Sequence, residues 1–123
     1  MTNRVQIVPG SFRDQPLPQG ADMISLVRVL YDHSDETVAD LLAAAYAALP
    51  TGGRIVISEP MTGGAAPHRA GDAYFAIYCM AMRTGRARSA DRIAALLQQA
   101  GFSSLRLPKA ARPFITSVVE GVR

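Results

Sequence analysis

The hydrophobic and polar residues of this chain form a strand, helix, strand pattern between residues 22 and 59. An apolar run over residues 23–30 is followed by a polar cluster over 31–36 and by a helical pattern that ends at Leu49. A break at residues 50–53 leads into a second apolar run, 54–58, which Glu59 closes. Two such runs with a helix between them predict parallel strands joined by a crossover helix.

Polar side chains stand where each of these two predicted strands ends. Tyr31, Asp32 and His33 follow the first strand, and Glu59 follows the second. In open α/β sheets the carboxyl ends of the strands line the ligand crevice. The sequence therefore predicts that these four residues face one functional site.

The remaining segments complete an α/β fold. Ser34 is placed to cap the crossover helix, and Ser89 and Gly101 are placed to begin and end a later helix. Residues 71–83 predict a helix that is apolar nearly all round, which favours burial in the core over lining an apolar cavity. The short link at 108–112 is too short for a crossover, so the last two strands are expected to be antiparallel. The predicted elements are strands at 4–8, 23–30, 54–58, 102–107 and 113–122, loops at 11–21 and 60–69, and a turn at 84–88.

Composition narrows the class of protein. The chain has 123 residues, of which 49% are hydrophobic, and this is enough for one domain with its own core. A net charge of +3 gives no indication of a nucleic-acid partner, and the basic cluster formed by Arg83, Arg86, Arg88 and Arg92 is interpreted as a solvated turn, or at most a contact to membrane phosphates. One cysteine and two histidines favour a reducing cytoplasm and make a metal site improbable.

A series of short motifs, in order, resembles a known enzyme family. They are Pro9-Gly10-Ser11-Phe12, Gly20-Ala21-Asp22, the segment from Arg28 to Glu36, Ala48-Leu49-Pro50-Thr51-Gly52-Gly53-Arg54, Ile57-Ser58-Glu59, Gly71-Asp72, Gly85-Arg86-Ala87-Arg88-Ser89 and the segment from Leu96 to Phe102. Together they resemble the C-terminal catalytic half of the S-adenosylmethionine-dependent small-molecule O-methyltransferases. The resemblance implies a partial Rossmann-like class I methyltransferase fold, with a mostly parallel sheet and a C-terminal antiparallel hairpin.

The details of these motifs resemble a subfamily. Most members have His-Asp-Trp where this chain has Tyr31-Asp32-His33, and this variant is most similar to the carotenoid hydroxyl methyltransferases of purple photosynthetic bacteria, of the hydroxyneurosporene or demethylspheroidene type. Family members have two carboxylates near this histidine. The first is matched by Glu59, and Ala87 stands at the position of the second, which is therefore missing. The resemblance implies S-adenosylmethionine as cofactor and a hydroxylated carotenoid as acceptor; an aromatic or polyketide hydroxyl is the alternative acceptor.

The resemblance also implies roles for individual residues. His33 is a candidate general base and Tyr31 a candidate relay, with Asp32 and Glu59 holding them. The cofactor candidates are Ser11, Phe12 and Arg28, and the candidates for the acceptor wall are Asp72, Phe75, Tyr78 and Met82. Structural roles stay open for several of these residues: His33 as a loop residue before the helix cap, Phe12 as core, and Arg28 as a partner of Asp22.

The chain lacks parts that the family has. No Gly-x-Gly-x-Gly sequence occurs, so residues 1–123 are expected to be the C-terminal part of a catalytic domain, without the N-terminal dimerisation domain and the first half of the nucleotide fold. Alone it is expected to be inactive, and a non-catalytic binding module is the rival interpretation. The strand at 23–30 would be an uncovered edge, which predicts homo-oligomers or aggregation, or a rearranged sheet in which the first strand fills the vacancy.

Overall fold

A mixed four-stranded sheet is the centre of the protein. The structure is a computed structural model that describes residues 4–63, 69–113 and 115–123, and the side chains of all of these except 70 and 71. The strands are β1 (Met23–Val27), β2 (Arg54–Glu59), β5 (Ser103–Arg106) and β6 (Ser117–Val122), in the order β1-β2-β6-β5. The α/β class is confirmed, and the sheet, which was predicted to be mostly parallel, is mixed in the described residues, with one parallel pairing and two antiparallel pairings.

The predicted strand pairings are present in the structure. β1 lies parallel to β2, with Ile24 opposite Ile55 and Val27 opposite Ser58. β6 is antiparallel to both β2 and β5. The C-terminal hairpin is therefore confirmed, and its last strand is inserted beside β2 so that β2 lies inside the sheet.

Two helices cover one face of this sheet. They are α1 (Asp35–Ala48) and α3 (Ala90–Gln99), and their caps are as predicted: Ser34 Oγ accepts from Thr37 N at 3.3 Å, and Ser89 Oγ accepts from Arg92 N at 3.1 Å. Alternation along β2 points every second side chain into the core. The buried apolar residues of this core are Leu30, Val38, Leu41, Leu42, Ala45, Leu49, Ile55, Ile57, Ile93, Leu96, Leu97, Phe102 and Val119.

The predicted N-terminal strand is wrong. Residues 4–8 contain no strand, and Ile7 is 85% exposed. A β-branched segment forms a strand only where a neighbouring strand accepts its hydrogen bonds, and within the described residues β1 pairs with β2 alone. The rearranged sheet in which this segment fills the vacancy beside β1 is therefore not formed, and β1 stays an edge strand of the described sheet.

The predicted helix at 71–83 is present in part, but its burial in the core is wrong. A π-helical segment, Arg69–Tyr74, leads into α2 (Phe75–Met82). Met80 is 77% exposed and Ile77 is 66% exposed, while Cys79 is buried. Only one side of the helix contacts the rest of the protein. Its apolar sequence therefore does not mean that the whole helix is buried.

A second, small sheet and a turn connect α2 to the core. β3 (Met61–Thr62) pairs in parallel with β4 (Arg88–Ser89), within segments that were predicted as loop and turn. The part of the predicted loop at 64–68 lies outside the described residues. Among the helices of the described residues, none is both long and apolar enough to cross a bilayer.

Candidate functional site

The loop that follows β1 lies against the end of β2 and is bound there by Glu59. This carboxylate is 1% exposed. Its Oε1 accepts from Val29 N and from Leu30 N, both at 2.7 Å, and its Oε2 accepts from Tyr31 N at 2.9 Å. Burial raises the pKa of Glu59, while the three N–H groups and Arg88 favour its charged form. In the structure Glu59 thus binds the loop backbone directly.

Arg88 binds the carbonyl side of the same loop. Its Nη1 donates to Leu30 O at 2.9 Å and its Nη2 donates to His33 O at 2.8 Å, while Nε donates to Asp35 Oδ1 at 2.7 Å. Desolvation raises the pKa of Asp35, but hydrogen bonds from Arg88 and Arg92 outweigh it, and the pKa lies below its usual 3.8. The interpretation of Arg88 as part of a solvated turn is wrong, since its side chain is 2% exposed.

The turn before β4 packs directly on this loop at Gly85. Gly85 has φ +78°, and an added Cβ would lie 2.0 Å from Tyr31 O and 2.7 Å from Asp32 C. Only glycine allows this close approach. The Cys79 thiol donates to the same carbonyl, Tyr31 O, at 3.5 Å, and burial raises the pKa of that thiol. Both α2 and the turn at 83–86 therefore pack against the carbonyl of Tyr31.

Tyr31 is buried in an aromatic cluster. Its ring centroid lies 5.5 Å from that of Phe75, edge-on, and 6.0 Å from that of Tyr78. The guanidinium carbon of Arg28 lies 5.5 Å from the Phe75 ring centroid and 6.0 Å from the Tyr31 ring centroid. Arg28 reaches this place from a left-handed backbone position, φ +56°, where β1 ends. The structure thus brings together Arg28, Tyr31, Phe75 and Tyr78.

His33 lines a separate, polar cleft. This cleft has a volume of about 530 Å³ and is lined by Arg13, Asp32, His33, Ser34, Asp35, Thr37 and the turn at 83–86. Arg13 Nη2 lies 3.2 Å from His33 Nδ1, and the Phe12 ring meets the imidazole edge-on with 5.3 Å between centroids. Arginine has no lone pair, so Nδ1 must be the acceptor and a neutral ring carries its proton on Nε2.

The electrostatic surroundings of His33 favour its neutral form. Burial lowers the pKa of His33 below its usual 6.5, Arg13 lowers it further, and Asp32 partly opposes them. A histidine that is neutral near pH 7 can accept a proton. The lone pair that would take up the proton is on Nδ1 and accepts a hydrogen bond from Arg13. Proton uptake therefore requires that Arg13 move away from that atom.

The other predicted residues lie near the polar cleft of His33 or on the helical segments that carry the aromatic cluster. Ser11 is exposed, and its hydroxyl accepts from Arg13 N at 3.2 Å, which places it next to Phe12 on the His33 side. Asp72 Oδ1 accepts from Gly63 N at 2.8 Å, and Met82 is 55% exposed at the end of α2. Nothing in the sequence pointed to Arg13 or Cys79 as site residues, and Gly85 stood only as the first residue of a family motif. Nothing distinguished Arg88 from the three neighbouring arginines.

Comparison with known proteins identifies the family. A family model described as the O-methyltransferase domain matches residues 1–103. The chain belongs to this family. Two relatives of the O-methyltransferase family are the demethylspheroidene O-methyltransferases of Rhodobacter capsulatus, 58% identical over 98% of this chain, and of Cereibacter sphaeroides, 55% identical over 100% of it. The predicted resemblance to the carotenoid subfamily is confirmed.

A solved structure with bound SAH shares the fold. PigF with SAH superposes with a TM-score of 0.83 at 29% identity, covering 98% of this chain and 36% of that chain. The class I methyltransferase fold is thereby confirmed. The chain spans 30% and 32% of the length of the two demethylspheroidene O-methyltransferases.

The family uses S-adenosylmethionine, and the residues present fit part of that molecule. The residues predicted to bind it are Ser11, with a hydroxyl, Phe12, with a half-buried ring, and Arg28, with a guanidinium. A hydroxyl and an aromatic ring suit an adenine, and a guanidinium suits a carboxylate. That these side chains hold the adenosyl and amino-acid ends of the cofactor stays a prediction.

Proposed function

We propose that this chain is part of an S-adenosylmethionine-dependent O-methyltransferase that methylates a hydroxyl group of a carotenoid. The observation that carries the proposal is the loop at residues 29–33, which presents Tyr31 to an aromatic cluster and His33 to a polar cleft. Its backbone is held in place by two buried charged groups, Glu59 and Arg88. The 58% identity to a demethylspheroidene O-methyltransferase supports the acceptor class.

The acceptor is proposed to lie against the aromatic cluster. The rings of Phe75 and Tyr78, with Tyr31 beneath them, form an apolar wall that suits a long polyene. Asp72, in the π-helical segment before α2, and Met82, at the end of α2, are proposed to lie at the two ends of this wall. Such a wall orients the acceptor hydroxyl toward the cofactor, and orientation is the main requirement of an in-line displacement.

Bound S-adenosylmethionine supplies an electrophilic methyl group on a sulfonium. The acceptor hydroxyl that would receive this methyl group must lose its proton. Because His33 faces the polar cleft and the acceptor is proposed to lie against the aromatic cluster, we propose that His33 takes this proton on Nδ1 after Arg13 has moved away, with the Tyr31 hydroxyl as the relay. Asp32 lies in the same cleft and stabilises the imidazolium that results, while Glu59 keeps the loop backbone in place.

The rival proposal is a binding module without catalysis. Titration calorimetry with S-adenosylhomocysteine separates the two. We expect no binding by the 123-residue chain and binding once the upstream coding sequence is added; absence of binding in both proteins would favour the binding module.

The acceptor is tested on the extended protein. We expect methyl transfer from S-adenosylmethionine to a hydroxylated carotenoid, with Tyr31→Phe and His33→Gln each lowering kcat about a hundredfold or more. Glu36→Gln, which changes a neighbouring exposed residue that does not line the cleft, serves as control and should retain kcat. Transfer to aromatic or polyketide hydroxyls in place of the carotenoid would overturn the acceptor class and keep the reaction.

A further inference from the structure

Arg88 is a buried charge whose hydrogen-bond partners are all accounted for. Its side chain is 2% exposed, and a buried guanidinium is tolerated only when its N–H groups are paired. Nε and Nη2 both contact Asp35 Oδ1 at 2.7 Å, and Nη1 donates to Arg86 O at 3.2 Å besides Leu30 O. The remaining acceptors are the two loop carbonyls, Leu30 O and His33 O.

These two carbonyls lie on either side of Tyr31 and Asp32. A guanidinium is planar and its N–H groups have fixed directions, so it holds its two carbonyl acceptors at a set separation. An ammonium group has no such geometry and would leave the separation free. The spacing between the two ends of the segment that carries Tyr31 and Asp32 is therefore determined by the shape of Arg88.

Glu59 binds the amide side of the same loop. It accepts the N–H groups of residues 29–31, whereas Arg88 donates to the carbonyls of residues 30 and 33. Leu30 is bound by both, through its N–H at 2.7 Å and its carbonyl at 2.9 Å. Two buried side chains of opposite charge thus orient the peptide plane between Leu30 and Tyr31, and Arg88 also binds the carbonyl of His33.

We propose that Arg88 is a positioning residue for methyl transfer: by binding Leu30 O and His33 O it sets the orientation of Tyr31 and His33 toward the acceptor. This inference rests on the proposed function, because it assigns the loop a role in that reaction. The hydrogen bonds of Arg88 go to Asp35 and to backbone carbonyls, and not to the side chain of Tyr31 or His33. Its effect passes through the backbone of the loop.

The test compares two variants of Arg88 with a matched control. Arg88→Lys keeps the positive charge and loses the fork, Arg88→Gln loses both, and Arg92→Gln removes another arginine that contacts Asp35, at 3.2 Å, while leaving the loop carbonyls bound. On the 123-residue chain, hydrogen exchange of the amides of residues 29–31 is measured by NMR. We expect exchange to rise about tenfold or more in both Arg88 variants, and to stay unchanged in Arg92→Gln.

The catalytic readout uses the protein extended by its upstream sequence. We expect Arg88→Lys to lower kcat about a hundredfold with KM within about threefold of the unsubstituted value, since a misplaced loop lowers the reaction rate more than it lowers binding. A purely structural role would reduce the folded fraction and leave kcat per folded enzyme unchanged, and this result would overturn the proposal.

The two proposals fail in distinguishable ways. If the extended protein without substitutions methylates no acceptor, the proposed function is wrong, and the positioning role in methyl transfer falls with it. If that protein is active and Arg88→Lys behaves like Arg92→Gln in both kcat and amide exchange, only the role of Arg88 is wrong. Retained far-UV circular dichroism and S-adenosylhomocysteine binding establish that each variant is folded.

Discussion

The close packing of Gly85 on the loop at residues 29–33 can be tested by adding a single methyl group. In Gly85→Ala the new Cβ would lie 2.0 Å from Tyr31 O and 2.9 Å from Asp32 Cα. Both of these neighbours are backbone atoms, so no side chain can rotate away to make room. The turn at 83–86 and the loop must therefore move apart.

The cost has two parts that can be separated. A non-glycine residue at φ +78° costs about 1–2 kcal/mol. Overpacking against a rigid neighbour costs about 1–3 kcal/mol more. Gly52→Ala has the first part without the second, because Gly52 has φ +81° and no atom within 4 Å of its added Cβ. The difference between the two variants, about 2 kcal/mol, measures the seating of the turn on the loop.

The assay is urea unfolding of the 123-residue chain followed by far-UV circular dichroism. For a small domain a difference of about 2 kcal/mol separates the two unfolding midpoints by roughly 1 M urea. We expect Gly85→Ala to unfold at the lower concentration and to expose the Tyr31 carbonyl. Equal midpoints for the two variants would show that the turn does not pack on the loop as the structure has it, and would refute the reasoning.

Three further predictions concern other parts of the structure. Glu59→Gln should lower the free energy of unfolding by about 2 kcal/mol, because an amide cannot accept from all three N–H groups; Glu120→Gln, at a half-buried position, is the control, and equal urea midpoints would contradict this. The low pKa of Asp35 contributes stability that is present above pH 3.8 and is lost as the pH falls through the folded-state pKa. Asp35→Asn should therefore weaken the fall in the free energy of unfolding with decreasing pH at the acid end. An unchanged pH dependence would count against the ion pairs of Asp35. Val27→Lys on the exposed edge of β1 should reduce the concentration-dependent association of the chain in analytical ultracentrifugation. A strictly monomeric unsubstituted chain would disprove association through this edge.

Local patterns were enough to predict the elements that position the site. The crossover helix follows from the periodicity of its apolar residues and from the Ser34 cap, and both are properties of neighbouring residues. The parallel pairing of β1 and β2 follows from the length of their connection. The placement of the loop after β1 next to Glu59 then follows from the pairing, because the carboxyl ends of parallel strands meet at one edge.

The N-terminal segment and α2 could not be predicted in the same way. The alternation at residues 4–8 has the pattern of a strand, but a strand also needs a neighbour, and the neighbour is a property of the tertiary structure. The apolar composition of α2 favoured the core, yet Met80 and Ile77 are largely exposed. An apolar helix would be stabilised by burial, but burial also requires a surface to pack against, and the sequence of the helix does not specify that surface.

The sequence by itself determined the α/β class, the helix caps, the terminal hairpin and the family. Only the tertiary structure decided which of four nearby arginines is buried, and that Gly85 meets the Tyr31 carbonyl. The physical reason is the range of the interactions. Caps and helical faces depend on residues three or four positions apart, whereas Arg88 reaches Leu30 and His33 across 58 and 55 positions, a contact that exists only once the chain has folded.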